Sequence, residues 1–163
     1  MKRGLAVTLA LILGFSILLL AGASAFSAPA PVCAKNDATL YKGRGTRTGL
    51  SWKVSRHMPF IRTEFKKGWA KVQDLEGVTH WARMSDLTRS TSCVVVKGNV
   101  AHFRIGPSTS AGLNDLNTLD RYTPLKKLGT KRDWVQVEDE TGRRGWIHES
   151  QIWKPVIINS FSF

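Results

Sequence analysis

Few residues of this chain have the side chains and the spacing that a reactive site requires. Among its 163 residues are two cysteines, Cys33 and Cys93, and neither lies in a recognisable hydrolase motif beside an activating histidine. The four histidines are His57, His80, His102 and His148. They are widely spaced, and the sequence contains no His-x-x-x-His or Cys-x-x-Cys pair of the kind that holds zinc. We therefore predict a protein with no catalytic residue, no metal site and no cofactor.

The first residues predict export from the cytoplasm. Lys2 and Arg3 precede an uncharged apolar run, and Ala23-Ser24-Ala25 then supplies the small residues that signal peptidase recognises. We expect a signal peptide over residues 1–25, a short leader over residues 26–32, and a mature protein that is periplasmic or secreted. The alternative is an uncleaved membrane anchor, because the apolar run is about long enough to span a bilayer.

The chain is strongly basic. It has 24 lysines and arginines against 12 acidic residues, which gives a formal charge of +12 at pH 7. Such a charge is typical of proteins that bind nucleic acid, but the predicted export separates this chain from nucleic acid. Two interpretations remain: affinity for the anionic polymers of a cell envelope, or a solvated surface that keeps a small protein soluble. Contact with a membrane is expected only through the signal segment, if that segment is uncleaved.

An internal repeat organises the rest of the chain. The stretch from Pro59 to Leu87 matches the stretch 65 residues later without a gap. The clearest matched pairs are Pro59 with Pro124, Trp69 with Trp134, Gly77 with Gly142, and Trp81 with Trp146. Before this stretch the match is weaker and needs a length change, with Leu40-Tyr41-Lys42 aligned to His102-Phe103-Arg104. Two tryptophans, a proline and a glycine at one offset indicate two related units.

Each unit has the pattern of short β-strands. Residues alternate between two faces over Trp69–Gln73 and over Trp134–Glu138, as in half-buried strands. Each segment is followed by a polar stretch that ends at Gly77 or Gly142, which is typical of a hairpin turn. Long helical periodicity is absent after the N-terminal segment. The sequence therefore predicts an all-β fold made of small barrels or a sandwich.

These motifs resemble those of bacterial SH3 domains. Val100–Ser108 is similar to the N-V-R-x-G-P-S opening of that family. Trp134-x-x-Val137, the Gly142 turn and Gly145-Trp146-Ile147 resemble its W-x-x-V, D-G and G-W-V ending. The first unit repeats the ending but has His80 where the family has glycine before the tryptophan. We interpret the first unit as the more diverged of the two.

The resemblance implies two tandem SH3-like barrels after the signal peptide. The diverged first domain spans residues 33–90, the second spans residues 93–153, and an apolar C-terminal tail covers residues 154–163. In such a barrel the ends of one domain lie close together, which would bring Cys33 and Cys93 within bonding range. An oxidising compartment and an even number of cysteines favour this pairing. We expect a disulfide that stabilises the first domain; the alternative is two free or intermolecularly paired thiols.

Aromatic side chains are the remaining candidates for binding a ligand. The resemblance implies that Trp81 and Trp146 pack into their barrels. It also implies that other rings lie at the partly exposed rim where SH3-like domains bind ligands. The candidate ligand-binding residues are Tyr41, Trp69, Phe103 and Trp134. Rings at a rim bind peptides or sugars by stacking and apolar burial. The alternative is that these rings complete two small cores.

We interpret the chain as a non-catalytic binding module of the cell envelope. Bacterial relatives are linked to cell-wall peptides, so the leading ligand is peptidoglycan or its stem peptides, with basic residues contacting carboxylates. The alternative partner is another envelope protein, docked as an extended segment in the same groove or on a strand edge. An enzyme is disfavoured, because two such units leave too few residues for a catalytic domain.

Overall fold

The structure, a computed structural model, describes residues 28–157, which form two antiparallel sheets of seven strands each. The strands of the first unit are β1 (Ala30–Ala34), β2 (Ala38–Tyr41), β3 (Leu50–Val54), β4 (Pro59–Lys66), β5 (Trp69–Gln73), β6 (Thr79–Arg83) and β7 (Leu87–Thr88). Those of the second unit are β8 (Cys93–Val96), β9 (Val100–Arg104), β10 (Leu113–Asp120), β11 (Pro124–Lys131), β12 (Trp134–Glu138), β13 (Arg144–His148) and β14 (Ile152–Trp153). Short 3₁₀ turns span Thr46–Thr48, Met84–Asp86 and Glu149–Gln151.

The predicted signal peptide and the end of the predicted tail lie outside the described residues. Within residues 28–157, no helix has the length and apolar character needed to cross a membrane. The described part of the tail, residues 154–157, follows β14 without forming a strand.

Both sheets have the same strand order. The first runs β3-β2-β6-β5-β4-β1-β7, and the second runs β10-β9-β13-β12-β11-β8-β14, with corresponding strands in corresponding places. The predicted all-β fold of two tandem SH3-like units is confirmed. The pairing adds a refinement, because the order is open: in the described part of the chain, β3 and β7 end the first sheet, and β10 and β14 end the second. Each unit is therefore a seven-stranded sheet with free edges rather than a closed barrel.

The repeat is reproduced strand by strand. β4 to β7 and their 3₁₀ turn begin and end 65 residues before β11 to β14 and theirs. Earlier in each unit the offset is smaller, because Tyr41 pairs with Trp81 while Arg104 pairs with Trp146. Tyr41 therefore corresponds to Arg104, and the predicted alignment of Tyr41 with Phe103 was wrong by one residue. The connection from these strands to β4 or β11 differs in length between the units, and the weak similarity of the segments did not show by how much.

Each unit has its own hydrophobic core. Alternate residues of β5 and β12 point inward, and Val72 and Val137 are fully buried there. The largest fully buried side chains are Phe60, Leu40 and Val32 in the first unit, and Phe103, Leu125 and Ile147 in the second. Burial of one such side chain stabilises the fold by about 1.5–3 kcal/mol relative to its exposure. The cores fix which residues of each strand are left on the outer face.

The two cores differ at one matched pair of positions. In the second unit the Phe103 ring lies against Gly145, where a Cβ atom would clash with the ring and would lie 2.8 Å from the carbonyl oxygen of Arg104. In the first unit the corresponding residues are Leu40 and His80, both buried. Leucine lacks the ring that would clash with a Cβ at this position, so a residue other than glycine is tolerated there. This exchange explains in physical terms why the first unit departs from the family's glycine.

The two units pack against each other. Val95 of β8 belongs to the core cluster of the first unit, and Tyr122 and Trp153 also pack against that cluster. The Tyr122 hydroxyl donates a hydrogen bond to Glu76 Oε1 at 3.2 Å. The Tyr122 ring is in T-shaped contact with Trp52, with centroids 5.5 Å apart. The second unit therefore covers one side of the first unit's core.

The disulfide expected from the sequence is present. Cys33 and Cys93 are bonded, with their Cα atoms 6.1 Å apart. Cys33 lies in β1 and Cys93 in β8, so the bond joins the two sheets. The expectation that this bond stabilises the first domain stays a prediction. The bond spans 60 residues, for which the chain-entropy model gives about 4 kcal/mol of stabilisation.

Candidate ligand-binding surface

In the first unit, side chains from three neighbouring strands meet on the outer face of the sheet. Tyr41 ends β2 and Trp69 begins β5, and their rings are in T-shaped contact with centroids 5.6 Å apart and planes at 82°. The Arg83 guanidinium lies 5.8 Å from the centroid of the Trp69 ring, within the range of a cation–π contact. Together with Trp81, these residues are called here the first tryptophan surface.

Trp81 of β6 and Trp146 of β13 lie on the outer faces of their sheets. Both are half-buried, and the residues on either side of each are buried. Because successive side chains of a strand point to opposite faces, the buried neighbours point inward and the tryptophans outward. The prediction that these two tryptophans pack into the barrels is therefore wrong. Ala82 and Ile147 occupy inward positions instead.

The second unit has a matching surface of different composition. Trp134 begins β12, and its ring is in T-shaped contact with the His148 ring, with centroids 5.3 Å apart and planes at 85°. By strand register, Arg104 takes the place of Tyr41, and His148 that of Arg83. The second tryptophan surface is Arg104, Trp134, Trp146 and His148. An open cleft of about 280 Å³ includes three of these residues, without Trp146, and its lining is His102, Arg104, Thr109, Trp134, His148, Ser150 and Gln151.

Two polar members of the second surface are held in place by hydrogen bonds. Arg104 Nη1 donates to the Ala111 carbonyl oxygen at 2.6 Å. His148 Nδ1 lies 2.8 Å from Ser150 Oγ. Among the described residues that line the cleft, none is acidic. The surface therefore offers aromatic area beside a positioned guanidinium, a combination suited to a ligand that carries both apolar parts and a carboxylate.

The structure brings together two of the four predicted ligand-binding residues. Tyr41 and Trp69 are in direct contact and partly exposed. Trp134 has an exposed fraction of 9%, so only a small part of its ring reaches solvent. Phe103 is fully buried against Gly145 and stays inside the core. The structure therefore leaves Phe103 out of the candidate surface, because its register places it at the inward position that Leu40 holds in the first unit.

The sequence did not predict that Arg83, Arg104 and His148 belong to these surfaces. Two of them could have been found, because a hairpin with its turn at Asp74–Val78 places Arg83 opposite Trp69. The matching hairpin of the second unit, between β12 and β13, places His148 opposite Trp134. Arg104 could not have been found in this way, since the alignment of its strand with Leu40-Tyr41-Lys42 was off by one residue.

A serine, a histidine and an aspartate are in hydrogen-bond contact in the first unit. His80 Nδ1 lies 2.7 Å from Ser51 Oγ, and His80 Nε2 lies 3.2 Å from Asp74 Oδ2. Asp74 Oδ1 accepts hydrogen bonds from the backbone N–H groups of Glu76 and Val78, at 2.9 Å each. The imidazole has an exposed fraction of 5%. These bonds satisfy a buried side chain and close the turn between β5 and β6, which is a structural role.

The same turn in the second unit is closed by an ion pair. Burial raises the pKa of Asp139, but hydrogen bonds from Thr141 and Arg143 outweigh burial and hold this pKa below its usual value. Arg143 Nε donates to Asp139 Oδ2 at 2.8 Å. The neighbouring Glu138 has its pKa lowered, chiefly by a hydrogen bond from Arg144. These carboxylates are ionised at neutral pH and already paired with cations.

No group of three or more histidine, cysteine or acidic side chains within residues 28–157 is arranged to hold a metal ion. The two ring nitrogens of His80 are in hydrogen-bond contact with Ser51 and Asp74. The chemistry available at the two tryptophan surfaces is therefore stacking, apolar contact and charge-assisted hydrogen bonding.

Comparison with known proteins identifies the second unit. Residues 97–154 match the family model described as the bacterial SH3 domain. A search of curated proteins found no match to the chain. Among solved structures, the chain is similar to NlpC1 from Trichomonas vaginalis, at 14% identity with a TM-score of 0.36, covering 88% of this chain and 52% of that one. NlpC2 from Trichomonas vaginalis matches at 13% identity with a TM-score of 0.35, covering 78% and 49%.

A third similar structure is an NlpC/P60 family protein from Bacillus cereus ATCC 10987, at 14% identity with a TM-score of 0.36, covering 77% of this chain and 57% of that one. The chain thus spans about half the length of these proteins. The family match covers β9 to β14, and the first unit repeats the strand order of the second. Residues 97–154 are therefore the part of the chain that matches the bacterial SH3 domain model, and a unit of the same strand order precedes them.

Proposed function

We propose that this protein is a non-catalytic module of the cell envelope, periplasmic or secreted, that binds peptidoglycan or its stem peptides. Bacterial SH3 domains are often cell-wall-binding modules, and the family match supports the proposal to that extent. The binding residues are those of the two tryptophan surfaces, without Phe103.

The contact between Tyr41, Trp69 and Arg83 is the observation that carries the proposal. Two rings packed edge to face and capped by a guanidinium form a partly exposed, rigid platform. Such platforms bind ligands by covering apolar groups with the rings while the cation pairs with an acidic group. The core of the first unit is filled by other residues, among them the fully buried Leu40 and Phe60. The three residues on the outer face are therefore not needed to fill that core.

Charge complementarity supports an anionic wall ligand. The chain carries a formal charge of +12, and both tryptophan surfaces include a basic residue. Stem peptides combine small apolar side chains with carboxylates, so one ligand can use both the rings and the cations. Attraction of this kind weakens as salt is added, because screening shortens the range of charge interactions to about 10 Å at 0.1 M ionic strength.

Co-sedimentation with purified peptidoglycan tests the proposal. The wild-type protein is expected to pellet with the polymer at low salt and to be partly released by added salt. Trp69→Ala is expected to weaken binding about tenfold, because the lost ring contact is on the order of 1.4 kcal/mol. The matched control is Phe65→Ala on β4, which removes an aromatic ring with an exposed fraction of 47% outside both surfaces. Equal retention of the two variants would contradict the proposal.

The free sheet edges favour a second candidate, a docking protein for another envelope protein. β3 and β10 end their sheets among the described residues, and each begins with an exposed leucine: Leu50 at 52% and Leu113 at 41%. An extended segment of a partner can add to such an edge through backbone hydrogen bonds. Leu50→Lys and Leu113→Lys place a charge at the edge without changing the core. Loss of a crosslinked partner in these variants, with peptidoglycan binding absent in the wild type, would favour this candidate.

A further inference from the structure

A separate cleft lies where the two units and the tail meet. Its volume is about 340 Å³, and its lining comes from β1, the linker between the units, β8, β11 and the tail. This volume is near the lower end of the range of about 300–1,000 Å³ for small-molecule sites in proteins. The Cys33–Cys93 disulfide forms part of the wall. The cleft contains none of the residues of the tryptophan surfaces.

The charged residues that line this cleft are all basic. They are Arg89 from the linker, Lys127 from β11 and Lys154 from the tail, with no acidic residue in the lining among the described residues. Lys154 is paired with Glu149 at 3.0 Å. Within residues 28–157, no ion pair involves Arg89 or Lys127, whereas the adjacent Lys126 is paired with Glu138 at 3.4 Å. Two cations therefore face one cleft without a carboxylate from the described chain.

The rest of the lining is partly apolar. Pro31, Pro155 and Val156 contribute apolar surface, while Thr91 and Ser92 contribute hydroxyl groups. A bare inorganic anion would use the cations but leave the apolar surface uncovered. A peptide end with small apolar side chains would use both, since its terminal carboxylate can pair with a guanidinium and an ammonium while its side chains cover the apolar wall.

We infer that this junction cleft binds the terminal carboxylate of a short peptide, with Arg89 and Lys127 as its charge partners. Arg89 supplies a planar fork that matches both carboxylate oxygens, and Lys127 supplies a point charge. Lys127 is half-buried, and its backbone N–H donates to the Ser92 carbonyl oxygen at 2.8 Å, which ties β11 to the linker. The site is formed only when both units are in place, so it is a property of the tandem arrangement.

The test uses N-acetyl-alanyl-alanine as the probe, titrated into the full disulfide-bonded protein and followed by amide chemical shifts and calorimetry. The carboxylate form is expected to shift the amides of Thr91, Ser92 and Lys127. Its C-terminal amide is expected to bind at least tenfold more weakly. The double variant Arg89→Gln/Lys127→Gln is expected to lose at least tenfold in affinity for the carboxylate form.

Controls separate this site from charge effects and from the tryptophan surfaces. Arg47→Gln/Lys53→Gln removes the same charge from exposed positions outside the cleft, and it is expected to bind as the wild type does. The amide shifts of Thr91, Ser92 and Lys127 report on this cleft alone, whether or not the tryptophan surfaces bind the probe, so failure of the proposed function leaves this result unaffected. Equal affinity for acid and amide, equal loss in both double variants, or inorganic phosphate binding as tightly as the peptide would overturn the inference.

Discussion

At the scale of single residues, the exchange of Phe103 and Gly145 for Leu40 and His80 explains why the two units differ. In the second unit the large Phe103 ring lies against a glycine. In the first unit the smaller Leu40 takes the place of the ring, and His80 takes the place of the glycine. The Phe103 ring needs a neighbour without a Cβ. The shorter Leu40 allows an imidazole that is hydrogen-bonded by Ser51. The apparent divergence of the first unit is thus a compensated change of packing.

Gly145→Ala is expected to destabilise the protein by about 1–3 kcal/mol, because the added methyl group overpacks the site against Phe103 and nearby backbone. Phe103→Leu in the same chain is expected to restore part of this loss by recreating the space found beside Leu40. Urea unfolding of the two single variants and the double variant measures the coupling between them. Purely additive effects would contradict the packing account.

His57 is expected to make the fold sensitive to mild acid. It is buried, with an exposed fraction of 7%, and lies in the turn that leads to β4. Burial chiefly lowers its pKa, and the positive charges of Arg56 and Lys126 lower it further. The unfolded state therefore binds more protons than the folded state below the ordinary histidine pKa of about 6.5. Stability is expected to fall as the pH drops through this range.

The measurement is the urea midpoint between pH 7.5 and pH 5 in the wild type and in His57→Asn. Asparagine suits this position because His57 has a φ of 70°, which asparagine tolerates better than most residues. The wild type is expected to lose more stability than the variant over this interval. The lowered pKa values of Glu138 and Asp139 affect the free energy of unfolding only at lower pH, because the ordinary pKa values of these carboxyl groups are near 4. Identical pH profiles would rule out His57 as the cause.

At the scale of the strands and turns, the β5–β6 and β12–β13 hairpins are closed by aspartates in matching positions. Asp74 and Asp139 both accept backbone N–H groups two and four residues later. Glycines with positive φ, Gly77 at 81° and Gly142 at 87°, complete the turns. This geometry fixes the register that places Arg83 beside Trp69 and His148 beside Trp134.

Asp139→Ala is expected to destabilise the protein by about 1–3 kcal/mol, because backbone donors of the turn lose their acceptor. The ion pair with Arg143 is lost at the same time. Thermal unfolding monitored by circular dichroism measures the loss. Glu140→Ala, an exposed residue of the same turn, is the matched control and is expected to change stability by less than about 0.5 kcal/mol. Similar losses in both variants would contradict the assigned role.

Most of the strands could be predicted from the sequence, whereas the residues of the two tryptophan surfaces could be predicted only in part. The 65-residue offset predicted matching strands because tryptophan, proline and glycine mark turns and strand starts that depend on local sequence. The register of β2 and β9 depends on a turn of variable length, so Phe103 was placed at the rim although it is buried. The outward placement of Trp81 and Trp146 depends on which neighbours fill the core, which local alternation alone could not decide.

At the scale of the whole molecule, the two units form a joined pair. Val95 enters the first unit's core, Tyr122 contacts Trp52 and Glu76, and the disulfide joins β1 to β8. Because these contacts lie between the units, the tandem arrangement is expected to unfold more cooperatively than two units connected only by a linker would.

Cys33→Ser/Cys93→Ser is expected to destabilise the protein by about 2–5 kcal/mol, as is usual when a small exported domain loses a disulfide. The loss is also expected to extend to both units, because the bond links their sheets. Hydrogen exchange of β4 and β11 amides, compared with the wild type, measures this spread. Loss of protection confined to β4 would indicate that the bond stabilises only the first unit.

The central claim is that the outer tryptophan surfaces bind a wall peptide, and the most direct measurement is an NMR titration with a soluble peptidoglycan fragment. Shifts of the indole N–H signals of Trp69 and Trp81, assigned with single variants, report on the first surface. The account predicts that these signals move with the fragment while the backbone amide of Phe65 does not. It also predicts that Trp69→Ala requires about tenfold more fragment to reach the same shift of Trp81. Saturating fragment without movement of any outer tryptophan signal would contradict the account.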